Sequence, residues 1–137
     1  MDQTERLIRA YYEAFNQGDR PGFLALLALD VVHDISQGGR EQGRDAFGRF
    51  WDYMARCYRE RITDLVVMTD VTGSCAAAEF TVHGTYLQTD PSVPPGAAPA
   101  CGQSYVLPAG AFFSIREGRI SRISNHYNLA EWIRQVA

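Results

Sequence analysis

The run Ser104-Tyr105-Val106-Leu107-Pro108-Ala109-Gly110-Ala111-Phe112-Phe113-Ser114-Ile115-Arg116-Glu117-Gly118-Arg119-Ile120-Ser121-Arg122-Ile123-Ser124-Asn125-His126-Tyr127 reads as two strands joined by a tight turn. Tyr105, Leu107, Ala109, Ala111 and Phe113 recur with a period of two, which lines alternate side chains along one face of a strand. Glu117-Gly118 sits where a hairpin turn needs positive φ. On the second arm Asn125 and Tyr127 share one face and His126 takes the other. Working outward, Ile62 to Val71 and Cys75 to Leu87 are equally rich in Val, Ile, Thr, Phe and Tyr, with Thr72-Gly73 as the turn between them. Four strands in meander order are therefore expected. Between the second and third lies Gln88 to Gln103, where Asp90-Pro91, Pro94-Pro95-Gly96 and Pro99 forbid regular structure. A loop of that length inside a small domain is a candidate lid.

The first half of the chain has the period of helices. Asp2 with Glu5 forms an N-cap and capping-box pair, followed by Leu7, Ile8, Tyr11, Tyr12, Ala14 and Phe15 at helical spacing. Asn16-Gln17-Gly18-Asp19 ends that helix. Asp19 can cap a second one, with Pro21 in its first turn and Phe23, Leu24, Leu26 and Leu27 on its apolar side. Asp30 to Ile35 then reads as a short strand, closed by a glycine-rich turn from Ser36 to Gly43. From Asp45 to Tyr58, Phe47, Phe50, Trp51, Met54, Cys57 and Tyr58 line up only on a helix. Asn128 with Glu131 caps a terminal helix carrying Leu129, Trp132, Ile133 and Val136. Helices followed by an antiparallel meander predict an α+β domain spanning residues 1–137, with the helices on one face of the sheet.

Composition sets the bounds. The chain has 137 residues, 46% hydrophobic and 21% charged, with a formal net charge of −3. A chain this long buries about two-thirds of its unfolded surface in one core. So small a charge argues against nucleic acid as a partner. The longest apolar run, Phe23 to Leu29, falls short of the roughly 20 residues a membrane span needs, and the first residues lack a basic stretch followed by an apolar one. A cytoplasmic protein is expected. Cys57, Cys75 and Cys101 are odd in number and unpatterned, so neither disulfides nor a zinc site is suggested. Cys57 and Cys75 read as small hydrophobes, and Cys101 as the one expected to meet solvent.

The segments Arg9-Ala10-Tyr11-Tyr12-Glu13-Ala14-Phe15-Asn16-Gln17-Gly18-Asp19 and Asp30-Val31-Val32-His33-Asp34 resemble the opening of the SnoaL-like, nuclear transport factor 2-like superfamily. Ala76 to Gly84, Gly110 to Ile120 and Tyr127-Asn128-Leu129 are similar to its central strands and closing hairpin, above all in ketosteroid-isomerase-related proteins and polyketide cyclases. The resemblance implies a cone-like, curved, mixed or antiparallel sheet with N-terminal helices on its concave face, a cystatin-like α+β barrel. It also implies a homodimer formed through the outer sheet face. Members include isomerases, cyclases, epoxide hydrolases, dehydratases and binding modules, so the fold supplies a pocket and no reaction.

Proton abstraction next to a carbonyl needs a carboxylate in an apolar pocket and a donor for the developing oxyanion, the pairing for which ketosteroid isomerase is the worked example. By motif position the resemblance places Asp34 near the family's base and Tyr11 at its first-helix tyrosine. Ala111 stands where a second donor, a carboxylic acid, should be, which argues against ketosteroid isomerase activity itself. Register adds an alternative: matching the strand by Asp30 points His33 and Ile35 inward and Asp34 away, unless a bulge or deletion intervenes. Asp34 would then be a strand-end carboxylate bonded to the glycine-rich turn. His33, with an ordinary pKa near 6.5, is the other acid/base candidate, or a core-edge histidine held by a carbonyl.

Tyr11 and Tyr12 are adjacent, so only one is expected to face the pocket, and Tyr11 shares a side with Leu7, Ala14 and Phe15. Trp51, Tyr105, Phe113, Asn125 and Tyr127 are the expected pocket wall. His83 alternates with Glu79 and Thr81 on a stripe polar enough to be the outer surface. A metal site would need His33, Asp34, His83 and His126 to converge, and no pair has ligand spacing, so neither metal nor cofactor is expected. The expected activity is a cofactor-independent isomerase, cyclase or lyase acting on a small apolar carbonyl or polycyclic molecule. The alternative is a ligand-binding or dimerisation module without chemistry.

Overall fold

A computed structural model describes residues 2–137. Helix α1 (Gln3–Gln17) starts where the Asp2 carboxylate accepts from the Glu5 N–H at 2.6 Å, and ends at Gly18, whose φ of 68° suits a glycine. Helix α2 (Arg20–Ala25) is capped by Asp19 and carries Pro21 in its first turn. The sequence places Leu26 and Leu27 on this helix. Instead, strand β1 (Leu27–Asp34) begins there, because Leu26 O accepts from Ile120 N at 2.9 Å and Leu27 pairs with Ile120. Strand β2 (Arg40–Gln42) lies inside the segment read as a turn. It is wholly polar, an edge strand with no hydrophobic alternation to betray it.

Helix α3 (Arg44–Cys57) runs straight into strand β3 (Tyr58–Thr69) with no loop between them. Strands β4 (Cys75–Tyr86), β5 (Ser104–Arg116) and β6 (Arg119–Tyr127) complete the meander, and helix α4 (Leu129–Val136) closes the chain. Glu117 and Gly118 take φ of 52° and 74°, the two positive values a type I′ hairpin demands. The sheet order is β2-β1-β6-β5-β4-β3, with β1 parallel to β6 and every other pair antiparallel. It is a mixed sheet that stays open, since β2 and β3 lie at its two ends and do not pair with each other.

Register breaks curve this sheet. One falls between Thr63 and Val66, where Asp64 adopts φ 57°, and another between Ser114 and Ile115. An extra residue bends its strand and sharpens the twist. The concave face receives α1, whose Tyr11 and Tyr12 meet Phe113 and Phe80 above the small side chains Ala76, Ala78 and Ala111. Asn16 fastens the helix to the sheet edge, its amide donating to Ile62 O at 2.9 Å and accepting from Ile62 N at 2.8 Å. A free edge group is thereby satisfied. A second cluster, Tyr86, Tyr105, Leu107, Trp132 and Val136, lies under α4. Cys75 is exposed, as Cys101 is, because it falls on the convex side of β4. Among the described residues, no helix is long and apolar enough to cross a membrane.

Candidate active site

Between the two clusters the concave face leaves a cavity of about 490 Å³, walled by members of both, among them Tyr11, Phe80, Leu107 and Trp132. That volume is in the range of small-molecule sites. Beside it a second hollow of about 400 Å³ shares Tyr53, Asp90 and Tyr127 with the first and reaches Glu41 and Arg49.

Tyr11, His33, Trp51, Asn125 and Tyr127 all lie on the main cavity's wall. Tyr12 joins Tyr11 there, against the expectation that one would exclude the other. Their rings meet edge-on at 4.9 Å and the cavity reaches around both. The Tyr12 hydroxyl is buried without a hydrogen-bond partner among the described residues. Phe113 is not on the wall: it lies in the core beneath the two tyrosines. Ala111 is likewise sealed in the core.

Asp34 is turned away from the cavity. The register shifts between Leu27 and Val32 but is unbroken from Val32 to Asp34, so His33 points inward and Asp34 outward, where Arg40 binds it at 2.6 and 3.1 Å and Arg122 at 2.9 Å. The hydrogen bond from Arg40 comes first, with Arg122 adding to it, in holding its carboxyl down to about 2. A carboxylate so paired is a poor base. His33 is 2% exposed, stacked on Phe47 at 4.3 Å and met edge-on by Phe50 at 4.7 Å. Burial lowers its pKa to about 4 despite the neighbouring Asp34 charge, so it is neutral at pH 7.

One carboxyl group on the wall is Glu60. The expected strand begins at Ile62, yet β3 starts at Tyr58, and alternation then turns Tyr58, Glu60 and Ile62 inward and Arg59 and Arg61 outward. That period of two was available in Tyr58-Arg59-Glu60-Arg61-Ile62, hidden by assigning Tyr58 to the helix. Glu60 pairs with Gly84 on β4, which pairs with Tyr105 on β5. A Cβ on Gly84 would lie 2.1 Å from the Tyr105 ring, so only glycine lets that ring cross the strand. The Tyr105 hydroxyl consequently reaches Glu60 Oε2 at 2.6 Å from behind the wall, without lining the cavity itself. Burial raises the Glu60 pKa, and the Tyr105 bond pulls it part of the way back. Burial, followed by the Glu60 charge, pushes the Tyr105 hydroxyl up, so it stays a donor.

Asp90, from the proline-rich loop, is the other carboxylate on the wall. It accepts from Tyr58 Oη at 2.6 Å, Ser92 Oγ at 2.7 Å, Ser92 N at 2.8 Å and the Tyr53 hydroxyl. Burial pushes its pKa up, but these donors outweigh burial and leave it lowered. With its lone pairs engaged, Asp90 anchors the loop rather than taking protons. Glu60, raised and singly bonded, has an oxygen to spare.

Residues 8–123 match the SnoaL-like domain family. A candidate polyketide cyclase from Pseudomonas putida KT2440 is 58% identical, over 100% of this chain and 99% of that one, with a TM-score of 0.93. A second candidate polyketide cyclase, from Xanthomonas campestris pv. campestris, is 50% identical over 98% and 97% of the two chains, with a TM-score of 0.91. A nuclear transport factor 2-like protein of unknown function from Burkholderia pseudomallei K96243, 23% identical over 100% and 99% with a TM-score of 0.82, shares the fold. No curated protein matches the chain. With a family match over most of its length, an open curved sheet and a pocket under α1, this chain belongs to the SnoaL-like family.

Proposed function

We propose that this protein is a cofactor-independent isomerase, cyclase or lyase that moves a proton on a small carbonyl or polycyclic substrate held in the 490 Å³ cavity. The observation that carries the reading is Glu60: a carboxyl recessed among aromatic side chains, with raised pKa and one oxygen held by Tyr105. A base whose pKa is lifted toward neutrality abstracts a proton more readily than an ordinary carboxylate. Glu60 Oε1 takes the proton from the carbon beside the carbonyl, and the C–H electron pair moves to the carbonyl oxygen as an enolate. Tyr11 and Tyr12 line the same cavity, and a small turn of the buried, unpartnered Tyr12 hydroxyl toward it would let that hydroxyl donate to the oxygen. Return of the proton to another carbon completes an isomerisation, and attack of the enolate on a second carbonyl completes a cyclisation.

The test uses a planar aryl ketone, 1-tetralone, and follows exchange of its α-protons into D2O by NMR. Exchange that the wild type accelerates and Glu60→Gln does not supports the reading. Ala111, buried where the resemblance implies a second acid, favours a binding module instead. Saturable tetralone binding with no exchange above the buffer rate decides for that module. We also propose that two copies pair through the convex sheet face, where Val66, Met68, Val106 and Phe112 stand about half exposed.

A further inference from the structure

His33 and Glu41 face one another across the β1–β2 pair, and the two atoms that meet have no other partner. The residues are opposite in the register, and His33 Nδ1 lies 3.9 Å from Glu41 Oε1. Both atoms are buried and without a hydrogen bond among the described residues. Two unsatisfied polar atoms so placed are costly apart, and closing the gap by about 1 Å makes an ordinary hydrogen bond. We infer that Glu41 is a positioning residue for His33, accepting from Nδ1–H so that Nε2 presents its lone pair to the cavity as a second proton-transfer group.

The surroundings favour this arrangement. Phe47 and Phe50 of α3 clamp the imidazole plane, leaving little choice but which nitrogen carries the proton. Ile123, its neighbour on β6, offers no side-chain partner. The charged groups about the ring are Glu41 from β2 and Asp34 on its own strand, and Asp34 is engaged outward by Arg40 and Arg122. Glu41 is therefore the acceptor available to Nδ1. The ring nitrogen left over is fixed by the bond the other one makes, as in any oriented catalytic imidazole. His33 lines the main cavity while Glu41 borders the adjoining hollow, so the pair spans the wall between them. The catalytic part of this inference rests on the proton-transfer reading above, since moving a proton between two carbons uses one group to remove it and can use another to return it. The tautomer part does not.

The full-length protein labelled with 15N-histidine reports the tautomer directly by long-range 1H–15N correlation, with His83→Gln and His126→Gln used to assign the three imidazoles. At pH 7 His33 is expected as the Nδ1–H form. Glu41→Gln, which keeps an acceptor oxygen, should retain that form while titrating at lower pH. Glu41→Leu should convert it to Nε2–H or a mixture. In the tetralone assay Glu41→Leu should slow exchange on the order of tenfold, through kcat rather than KM. An Nε2–H form in the wild type, or an Nδ1–H form unchanged in Glu41→Leu, overturns the inference, and so does exchange at full rate in both Glu41→Leu and His33→Gln. Absence of exchange in the wild type sinks the proposed activity instead, leaving the tautomer result to stand alone. Should Glu41→Leu fail to fold, the lower titration of His33 in Glu41→Gln carries the test.

Discussion

Tyr105 donates a 2.6 Å hydrogen bond to Glu60 across the bare backbone of Gly84, so that three strands contribute one residue each to a single carboxylate. The cost of keeping that carboxyl in an apolar wall gives a stability signature. A folded-state pKa above the ordinary 4.5 means the native state holds the proton more tightly, so Glu60 favours folding below that value and loses this contribution as pH rises through its raised pKa. Glu60→Gln should melt a few degrees above the wild type at neutral pH, with the gap gone in acid, while tetralone exchange falls about a hundredfold or more. Thermal melts across pH, paired with the exchange assay, check both. A variant less stable than wild type at pH 7 would count against the buried-acid reading.

Gly84→Ala tests the geometry. The added methyl would overlap the Tyr105 ring, forcing it off Glu60 at a cost of about 1–3 kcal/mol. Because the Tyr105 bond lowers the Glu60 pKa, losing it should move the rising limb of the pH–rate profile to higher pH. Tyr105→Phe removes only the hydroxyl and should move the profile the same way. A profile unchanged in both would disconnect Tyr105 from the chemistry.

His33 supplies the opposite slope. Its pKa falls from 6.5 to about 4 on folding, so the unfolded chain takes the proton first, and stability present above pH 6.5 drains away as pH falls through about 4. The difference amounts to ~3 kcal/mol. Asp34 and Glu131, held down to about 2 by arginines, lose their own contributions mainly at still lower pH. Urea unfolding at several pH values should give His33→Gln a visibly flatter dependence between pH 6.5 and 4 than the wild type. Parallel curves for the two proteins would contradict a buried neutral imidazole.

The architecture was legible where local chemistry and tertiary demand agree. Glu117-Gly118, the Asp2 and Asn128 caps and the α3 stripe of Phe47, Phe50 and Trp51 each name their own structure. It was obscured where partners far along the chain decide. Leu27 reads as helical until Ile120 pairs with it, and Arg40-Glu41-Gln42 has no pattern until β1 pairs with it. The site suffered more, since shifting the start of β3 by four residues hid Glu60 altogether. For His33 and Asp34 the alternation of β1 posed the right question, and only the unbroken register from Val32 to Asp34 answered it, the strand's one irregularity against β6 falling before Val32.

The convex face carries Val106 and Phe112, both about half exposed, with Phe112 packed edge-on to His126 at 5.5 Å. Apolar side chains gathered on one sheet face usually mark an interface. Light scattering should give the wild type twice the chain mass. Phe112→Glu, placing a charge there, should halve it while leaving the melting curve of the isolated fold recognisable. A wild type of single-chain mass at micromolar concentration would end the dimer proposal.

Asp34→Asn separates the two acids that the sequence could not tell apart. Asp34 is about a quarter exposed and joins Arg40 on β2 to Arg122 on β6, while the arginines themselves reach solvent. Partly exposed pairs of this kind are worth little, about 1 kcal/mol once solvent screening is counted. The substitution keeps the shape and one acceptor but removes the charge that both guanidinium groups share. A modest loss of stability, shrinking at high salt, is expected, with tetralone exchange within about twofold of wild type because the group faces away from the cavity. If Asp34→Asn instead abolished exchange and Glu60→Gln left it intact, the base would have been assigned to the wrong strand.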